Sequence, residues 1–342
     1  MLRSGLLFVA LTGLAACAGS QYGPADVMPV DAGTLSGGRP IVIAHRGASG
    51  LRPEHTLAAY ALAIEQGADV IEPDLVMTGD GVLVDRHDRY LSTTTDVAEH
   101  PEFAERRRVD PAGSDRTDWW VEDFTLDELK TLRAVQPFPG RSTEFDGLYE
   151  IPTFDEVIDL AKARSAELGR TVALYPETKS PGYFALIGLD MEAPLLAALE
   201  REGWTGPDAP VYIQSFEPEI LISLNEQIDA PLVMLVSPTA TGVASSGAPT
   251  PNIPLEEAAA FADGVGPEKT LVMTSTGEDT GFVAAAHALG LLVHPWTFRD
   301  DNVRDGFDSA ADEIARAFEI GVDGVFTDFP ATGVAVRDGE AM

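Results

Sequence analysis

The sequence predicts an α/β fold, and two observations support this prediction. Short apolar runs recur from residue 41 to residue 326, and most of them are separated by segments with the composition of helices. Several of the runs end in ionisable residues, and in parallel α/β proteins the chemistry lies at the carboxyl ends of the strands. Eight strands that alternate with helices predict a TIM (β/α)8 barrel rather than an open sheet.

The individual elements are predicted from these runs and from the residues that flank them. Thr56 and Thr153 are suited to cap the helices that follow them, and Gly67 is suited to end the first helix. The predicted strands are residues 41–44, 69–75, 82–84, 171–176, 211–215, 232–236, 291–295 and 324–326. The main predicted helices are residues 57–66, 154–168, 193–202, 218–227, 281–289 and 312–320. Residues 262–267 are predicted as a short extra strand, and residues 76–81 as a parallel crossover that is too short for a helix.

One long segment, residues 88–150, interrupts the alternation of strands and helices. It contains a basic cluster at 106–108, an aromatic pair at 119–120 and a helix-like stretch at 126–132. We therefore expect a barrel over residues 41–335, with an inserted subdomain at 88–150 after the third predicted strand and over the barrel mouth.

The charge balance excludes one class of partner. The chain has 342 residues, with 23 Lys and Arg against 55 Asp and Glu and a formal net charge of −32. A surface that binds nucleic acid must be basic to meet the phosphate backbone. We therefore expect no nucleic-acid partner, and such an acidic surface is typical of a soluble exported protein.

The first 40 residues predict export and a membrane anchor. Residues 1–16 combine a basic Arg3 with a short apolar run, as in a bacterial signal peptide. They end in Leu-Ala-Ala before Cys17, which resembles a lipobox, and Cys17 is the single cysteine of the chain. We expect lipidation at Cys17, a flexible tether over 17–40, and a lipoprotein at the periplasmic face of a membrane or at the cell surface. An ordinary secretory signal with a fortuitous cysteine is the alternative.

Residues 41–91 carry the most informative pattern. Its three apolar runs end in His45, in the pair Glu72 and Asp74, and in His87. Glu72 and Asp74 are two residues apart, so both side chains point to one face of an extended strand. Two carboxylates on one face repel each other unless a cation lies between them, and hard cations prefer oxygen ligands. Histidines on neighbouring strand ends can supply an acid and a base.

This pattern resembles the glycerophosphodiester phosphodiesterase family. The resemblance rests on HRG at 45–47, PEHT at 53–56, GADVIEPD at 67–74, T-x-DG at 78–81 and HD at 87–88, and it extends to about residue 330. It implies a TIM barrel with an insertion like that of the longer, exported members. One position departs from the usual family pattern, because members usually have Asn where this chain has His55.

The resemblance also implies roles for individual residues. It implies a metal site at Glu72, Asp74 and Glu177, where Ca²⁺ is expected ahead of Mg²⁺ because carboxylate and water oxygens suit both and the longer exported members favour calcium. Glu177 would end the fourth predicted strand, where a buried carboxylate is costly unless it binds something. The resemblance also implies acid–base catalysis by His45 and His87 and phosphate binding by Arg46 and Lys179. Glu54 is expected to orient Arg46 or a histidine. Gln214 and Trp296 are expected to line the mouth.

The implied activity is the metal-dependent hydrolysis of glycerophosphodiesters to sn-glycerol 3-phosphate and an alcohol. Two alternatives are a phosphodiesterase of the phospholipase D or sphingomyelinase D type, which shares the early histidine and carboxylate pattern, and a surface lipoprotein with a binding role. The sequence leaves open which alcohol is released, which histidine is the acid, whether a cyclic phosphate forms, and the oligomeric state.

Overall fold

Eight parallel strands form the framework of the structure, a computed structural model that describes residues 33–243 and 249–339. The barrel strands are β1 Ile41–His45, β2 Val70–Glu72 continued by Asp74–Met77, β3 Ala173–Leu174 continued by Glu177–Thr178, β4 Ile213–Ser215, β5 Leu232–Val236, β6 Gly264–Pro267, β7 Leu292–Val293 and β8 Gly324–Thr327. Each strand from β1 to β6 pairs with the next one in chain order. The barrel closes because β8 pairs in parallel with β1, and the amides of Asp323 and Phe326 donate to the carbonyls of Val293 in β7 and of Pro295 just after it.

Helices surround the barrel and connect consecutive strands. They are α1 Leu57–Glu65, α2 Leu126–Leu129, α3 Phe154–Leu168, α4 Pro181–Leu186, α5 Glu192–Glu202, α6 Pro218–Asn225, α7 Leu255–Ala258, α8 Phe282–Ala288, α9 Ala310–Ile320 and α10 Pro330–Asp338. Thr56 and Thr153 cap α1 and α3 through their side-chain oxygens, as predicted. Each cap sets the point at which the chain leaves a loop at the barrel mouth and enters a helix.

Two predictions about the strands are wrong. The third predicted strand does not belong to the barrel, because Leu83–Asp85 pairs antiparallel with the second part of β2. The predicted parallel crossover at 76–81 is therefore the turn of a hairpin, since a parallel connection needs about a dozen residues. The segment at 262–267, predicted as an extra strand, contains the barrel strand β6.

The long segment predicted as an insertion lies between the hairpin strand Leu83–Asp85 and helix α3. It contains α2, two short antiparallel strands at Arg108–Val109 and Thr117–Asp118, and three 3₁₀ turns. Trp119 and Trp120 are buried, and their indole nitrogens donate to backbone carbonyls of the same segment. These aromatic residues form local core. The insertion therefore follows the second barrel strand and its hairpin, rather than a third barrel strand.

The described N-terminal residues contact the barrel. The amide of Leu35 donates to Asp323 at 2.7 Å, and Arg39 forms an ion pair with Asp338 at 2.9 Å. The predicted signal peptide, Cys17 and the first part of the predicted tether lie outside the described residues. Within the described ranges, no helix is long and apolar enough to cross a membrane.

The core has two parts. The larger part fills the space between the sheet and the helices, and the smaller part fills the inside of the barrel. The inner residues are Ile43, Val70, Tyr175, Val233 and Phe326. Because these side chains fill the barrel below its mouth, polar groups at the carboxyl ends of the strands face a cavity above a closed floor.

Candidate active site

A cavity of about 510 Å³ opens at the carboxyl ends of the barrel strands. Its lining includes seven of the residues predicted from the sequence to form the site, namely His45, Arg46, Glu72, His87, Glu177, Lys179 and Gln214, together with Trp296 from the opposite side of the mouth. The two predicted site residues outside the lining, Glu54 and Asp74, are buried directly behind it. The cavity therefore collects residues from strand ends that are far apart in the sequence.

Three carboxylates come together on one side of this cavity. Glu72 ends the first part of β2, Asp74 begins the second part, and Glu177 is the register partner of Asp74 on β3. One oxygen from each lies within 4.8 Å of the others, and all three side chains are buried. Three acids at this spacing form a site that a divalent cation can fill.

The pKa values of the three acids show that their negative charges repel one another. Burial, together with the charges of Asp74 and Glu177, raises the pKa of Glu72 well above its usual value. Burial and the neighbouring Asp74 raise the pKa of Glu177 to about 8. Burial alone would also raise the pKa of Asp74, but Lys179 and His55 hold it well below the usual value. A cation between them would relieve this mutual repulsion.

The hydrogen bonds of the carboxylates leave room for an ion. The backbone amide of Arg46 donates to Glu72 Oε2 at 2.7 Å, and Gln214 Nε2 donates to Glu72 Oε1 at 3.1 Å. Lys179 Nζ lies 2.8 Å from Glu177 Oε1. Among the described residues, Asp74 Oδ1 is buried without a hydrogen-bond partner. A hard cation fits this set because it would use the unpartnered oxygen and neutralise excess negative charge.

His45 is held in one orientation by Asp328. Its Nδ1 lies 2.6 Å from Asp328 Oδ1, so its Nε2 is the ring nitrogen left for a reactant. Burial and the charge of Arg46 lower the pKa of His45 to about 4. The imidazole is therefore neutral near pH 7 despite its carboxylate partner.

Asp328 is a site residue that sequence reasoning missed. Besides His45, its carboxylate binds Arg141 at 2.6 Å and Arg299 at 2.7 Å. The contact with His45, together with the charges of Arg299 and Arg141, holds the pKa of Asp328 far below its usual range, against the effect of burial. The available signal was its position directly after the last barrel strand, within Thr-Asp-Phe-Pro at 327–330.

His87 reaches the cavity from the hairpin rather than from a barrel strand. Its Nδ1 lies 3.1 Å from Asp88 Oδ1, and its side chain is 31% exposed. His45 is much less exposed, at 11%. The two imidazoles therefore line one cavity in different environments, since one is buried in the barrel mouth and the other is partly exposed.

Two cations lie beside the carboxylates. Arg46 has a left-handed backbone, with φ of 59°, and its guanidinium is 3.1 Å from Glu54. Glu54 is buried, and both of its carboxylate oxygens accept hydrogen bonds from Arg46 Nη1, at 3.2 and 3.1 Å. Lys179 lies between Glu177 and the ring of Phe216. Both cations line the cavity, so both can contact an anionic group there.

The far wall of the cavity is aromatic and polar. Trp296 donates its indole N–H to the carbonyl of Gly266 at 2.7 Å, and its ring packs edge to face against Phe216. Further lining residues that the sequence gave no reason to select are Glu268, Lys269, Thr297, Arg299 and Asn302. They follow strands β6 and β7, so only barrel closure places them opposite the carboxylates.

Comparisons with known proteins match the part of the chain that forms this cavity. A profile of the glycerophosphoryl diester phosphodiesterase family matches residues 45–332. A glycerophosphodiester phosphodiesterase of Arabidopsis thaliana is 36% identical over 86% of this chain and 85% of its own length. The enzyme of the same name from Haemophilus influenzae is 32% identical over 87% of this chain and 90% of its own length.

The fold comparison leads to the same family. A solved structure from Silicibacter pomeroyi, of a protein given the same family name, superposes with a TM-score of 0.65 at 25% identity. The match covers 87% of this chain and 93% of the other. Every residue of the cavity discussed above lies within residues 45–332, the region that the family profile matches. The chain therefore belongs to the glycerophosphoryl diester phosphodiesterase family.

Proposed function

We propose that the chain hydrolyses glycerophosphodiesters to sn-glycerol 3-phosphate and a free alcohol, with a divalent cation held by Glu72, Asp74 and Glu177. Family membership carries the phosphodiesterase activity itself. The finer proposal is supported by one observation, the buried carboxylate triad in a cavity that two histidines also line. Ca²⁺ is proposed ahead of Mg²⁺, because it tolerates irregular oxygen geometry.

The proposed chemistry assigns separate tasks to the residues of the cavity. The barrier to phosphodiester cleavage comes from negative charge that gathers on the phosphoryl oxygens, and a bound divalent ion supplies Lewis-acid stabilisation of that charge. Arg46 and Lys179 bind the phosphate and add positive charge. One of His45 and His87 takes the proton of the attacking hydroxyl, and the other protonates the departing alcohol. Gln214 supports the carboxylate of Glu72, and Trp296 bounds the space for the substrate.

The histidine roles are tested by the release of sn-glycerol 3-phosphate from glycerophosphocholine. We expect His45→Ala and His87→Ala each to lower kcat by about 10²-fold or more, a typical acid–base contribution. His287→Ala is the matched control, because His287 binds Asp323 outside the cavity lining, and it should stay within a few-fold of the wild type. A near-normal kcat in either cavity variant would remove that histidine from the mechanism.

The cation is tested by chelation. EDTA should abolish activity, and Ca²⁺ or Mg²⁺ should restore it, whereas activity that is indifferent to EDTA would reject the metal site. Sphingomyelin serves as the second substrate in the same assay. Faster turnover of sphingomyelin than of glycerophosphocholine would favour the phospholipase D type activity instead.

The cellular location is a separate proposal that rests on the N-terminal sequence. We propose that residues 1–16 are a lipoprotein signal peptide and that lipid on Cys17 anchors the enzyme to a membrane through a tether. Radiolabelled fatty acid should be incorporated into the wild-type chain and not into Cys17→Ser. Equal labelling of both would contradict the anchor.

A further inference from the structure

A buried chain of hydrogen bonds runs from Asp74 away from the cavity. Asp74 Oδ2 lies 2.8 Å from His55 Nε2, and His55 Nδ1 lies 2.9 Å from the Tyr60 hydroxyl. Tyr60 in turn donates to Asp85 Oδ2 at 3.0 Å. The side chains of all four residues are inaccessible to solvent. His55, Tyr60 and Asp85 do not line the cavity, so the substrate cannot reach them.

This chain of hydrogen bonds connects four different segments of the fold. Asp74 lies on β2, His55 on the loop before α1, Tyr60 on α1 and Asp85 on the hairpin strand. Asp85 is the register partner of Leu75, the residue that follows Asp74. His87 lies two residues beyond Asp85, so the hairpin that closes this chain also carries a histidine of the cavity.

Burying this chain of hydrogen-bonded groups costs folding free energy, and packing of the core does not require these polar groups. His55 adopts a left-handed backbone conformation with φ of 53°, which costs on the order of 1 kcal/mol for a residue other than glycine. Buried polar groups must also be fully hydrogen-bonded, or they destabilise the fold. An apolar residue at position 60 could fill the same space beside the core residues of α1. Packing alone therefore does not explain these hydrogen-bonded polar groups.

The hydrogen bonds decide which oxygen of Asp74 is available. His55 occupies Oδ2, while Oδ1 has no hydrogen-bond partner among the described residues. A carboxylate held at one oxygen cannot rotate freely, so Oδ1 is presented in a single orientation. Tyr60 and Asp85 hold the His55 ring in the same way. Partners behind metal ligands typically change metal affinity by 10–100-fold when removed.

We propose that His55, Tyr60 and Asp85 are positioning residues that orient Asp74 and thereby set the affinity of the site for a divalent cation. This inference rests on the metal site proposed above. It gives a role to His55, the position at which the sequence departs from the usual family pattern.

The test compares two tyrosines in the full-length protein. Tyr60→Phe removes one hydroxyl from the chain, and Tyr175→Phe is the matched control. Tyr175 is equally buried, and its hydroxyl lies 2.8 Å from His294 Nδ1 inside the barrel, with no hydrogen bond to a proposed metal ligand. Isothermal titration with Ca²⁺ alone should show about 10-fold or greater weakening in Tyr60→Phe. Tyr175→Phe should stay within about twofold of the wild type, although both variants lose a buried hydrogen bond.

Kinetics separate positioning from direct catalysis. At saturating Ca²⁺, Tyr60→Phe should recover a kcat within a few-fold of the wild type, because only the affinity for the ion has changed. A large loss of kcat that persists at saturating Ca²⁺ would overturn the positioning role. His55→Gln is the second variant if Tyr60→Phe does not fold, and it should also weaken Ca²⁺ binding by about 10-fold.

The outcomes distinguish this inference from the proposed function. If the wild-type protein binds neither Ca²⁺ nor Mg²⁺, the metal site itself is refuted, and this inference with it. If the wild type binds Ca²⁺ and Tyr60→Phe binds it as tightly as Tyr175→Phe does, the positioning role is overturned while the metal site stands.

Discussion

At the scale of single residues, Asp328 connects three side chains at the barrel mouth. One carboxylate binds His45, Arg141 and Arg299, and two of these partners are far from it in sequence. Its oxygen opposite Nδ1 selects the His45 tautomer that leaves Nε2 facing a reactant. The acid–base role proposed for His45 therefore depends on a residue that does not itself need to touch the substrate.

Asp328→Asn should lower kcat by about 10²-fold or more, because an amide does not hold the imidazole in the correct tautomer as a carboxylate does. Steady-state hydrolysis of glycerophosphocholine measures the effect. Asp301→Asn is the control, since Asp301 also binds Arg141 but is 37% exposed, and it should change kcat only a few-fold. Equal losses in both variants would show that the loss of Arg141 contacts, rather than the tautomer of His45, is responsible.

The pKa of Glu177 predicts that proton and cation compete for the site. With a pKa of about 8, this carboxyl holds a proton below pH 8 that an incoming ion must displace. The apparent Kd for Ca²⁺ should therefore rise as the pH falls from 8 to 6, by about tenfold per unit for one proton. Isothermal titration at several pH values measures the change, and two buffers of different ionisation enthalpy at pH 7 measure the proton release.

The control for this experiment is Glu217→Gln, because Glu217 binds the amide of Gly182 outside the cavity lining. It should retain the pH dependence of the wild type. A Kd that is constant between pH 8 and pH 6 would contradict proton competition at Glu177.

At the scale of elements, the interruption of β2 places two of the three carboxylates of the proposed metal site. Pro73 has no amide hydrogen to donate to a neighbouring strand, so β2 divides into two parts around it. Glu72 ends one part and Asp74 begins the other, and both carboxylates reach the same cluster. The second part also forms the hairpin that carries His87. Pro73 thus separates the part of β2 that pairs with β1 from the part that pairs with the hairpin strand Leu83–Asp85.

The inserted segment also contacts the barrel mouth through Arg141. The Arg141 side chain is 2% exposed and binds Asp328 and Asp301 at 2.6 Å each. Arg141→Met should lower the free energy of unfolding by about 3 kcal/mol, because it leaves the buried Asp328 with one cation fewer. Chemical denaturation measures this change.

Arg201→Met is the control for the loss of an ion pair. Arg201 is 49% exposed; of its two partners, Asp155 is also largely exposed and Glu202 keeps its ion pair with Lys162, so this variant should lose at most about 1 kcal/mol. If the two variants are equally stable, the insertion does not stabilise the mouth through Arg141.

At the scale of the whole molecule, closure of the barrel between β8 and β1 determines the site. A Cβ atom added at Gly324 would lie 2.5 Å from Ile41 Cγ1 and 2.9 Å from the Ile41 carbonyl oxygen. Gly324→Ala should therefore destabilise the fold by about 1–3 kcal/mol through overpacking, measured by chemical denaturation. Gly206→Ala is the control, because a Cβ there meets no atom within 4 Å, and it should stay within about 1 kcal/mol. A wild-type stability for Gly324→Ala would mean that the two strands can separate without cost.

Much of the fold and part of the site follow from local patterns in the sequence. Apolar runs between helical segments predicted the strands, and ionisable residues at their ends predicted the carboxylates and histidines. These features are local, because strand and helix periodicity and capping depend on residues close in the chain. The wrong strand assignment has the same local origin. An apolar run at 82–84 has the same sequence pattern whether the strand pairs in parallel or antiparallel.

The sequence by itself determined the barrel class, the alternation of strands and helices along most of the chain, and the family to which the chain belongs. Only the tertiary structure decided that β6 is a barrel strand, that Asp328 orients His45 across 283 positions, and that Arg141 reaches Asp328 across 187. The physical reason is that such contacts arise from strand register and barrel closure. These bring together residues whose neighbours in the chain carry no information about one another.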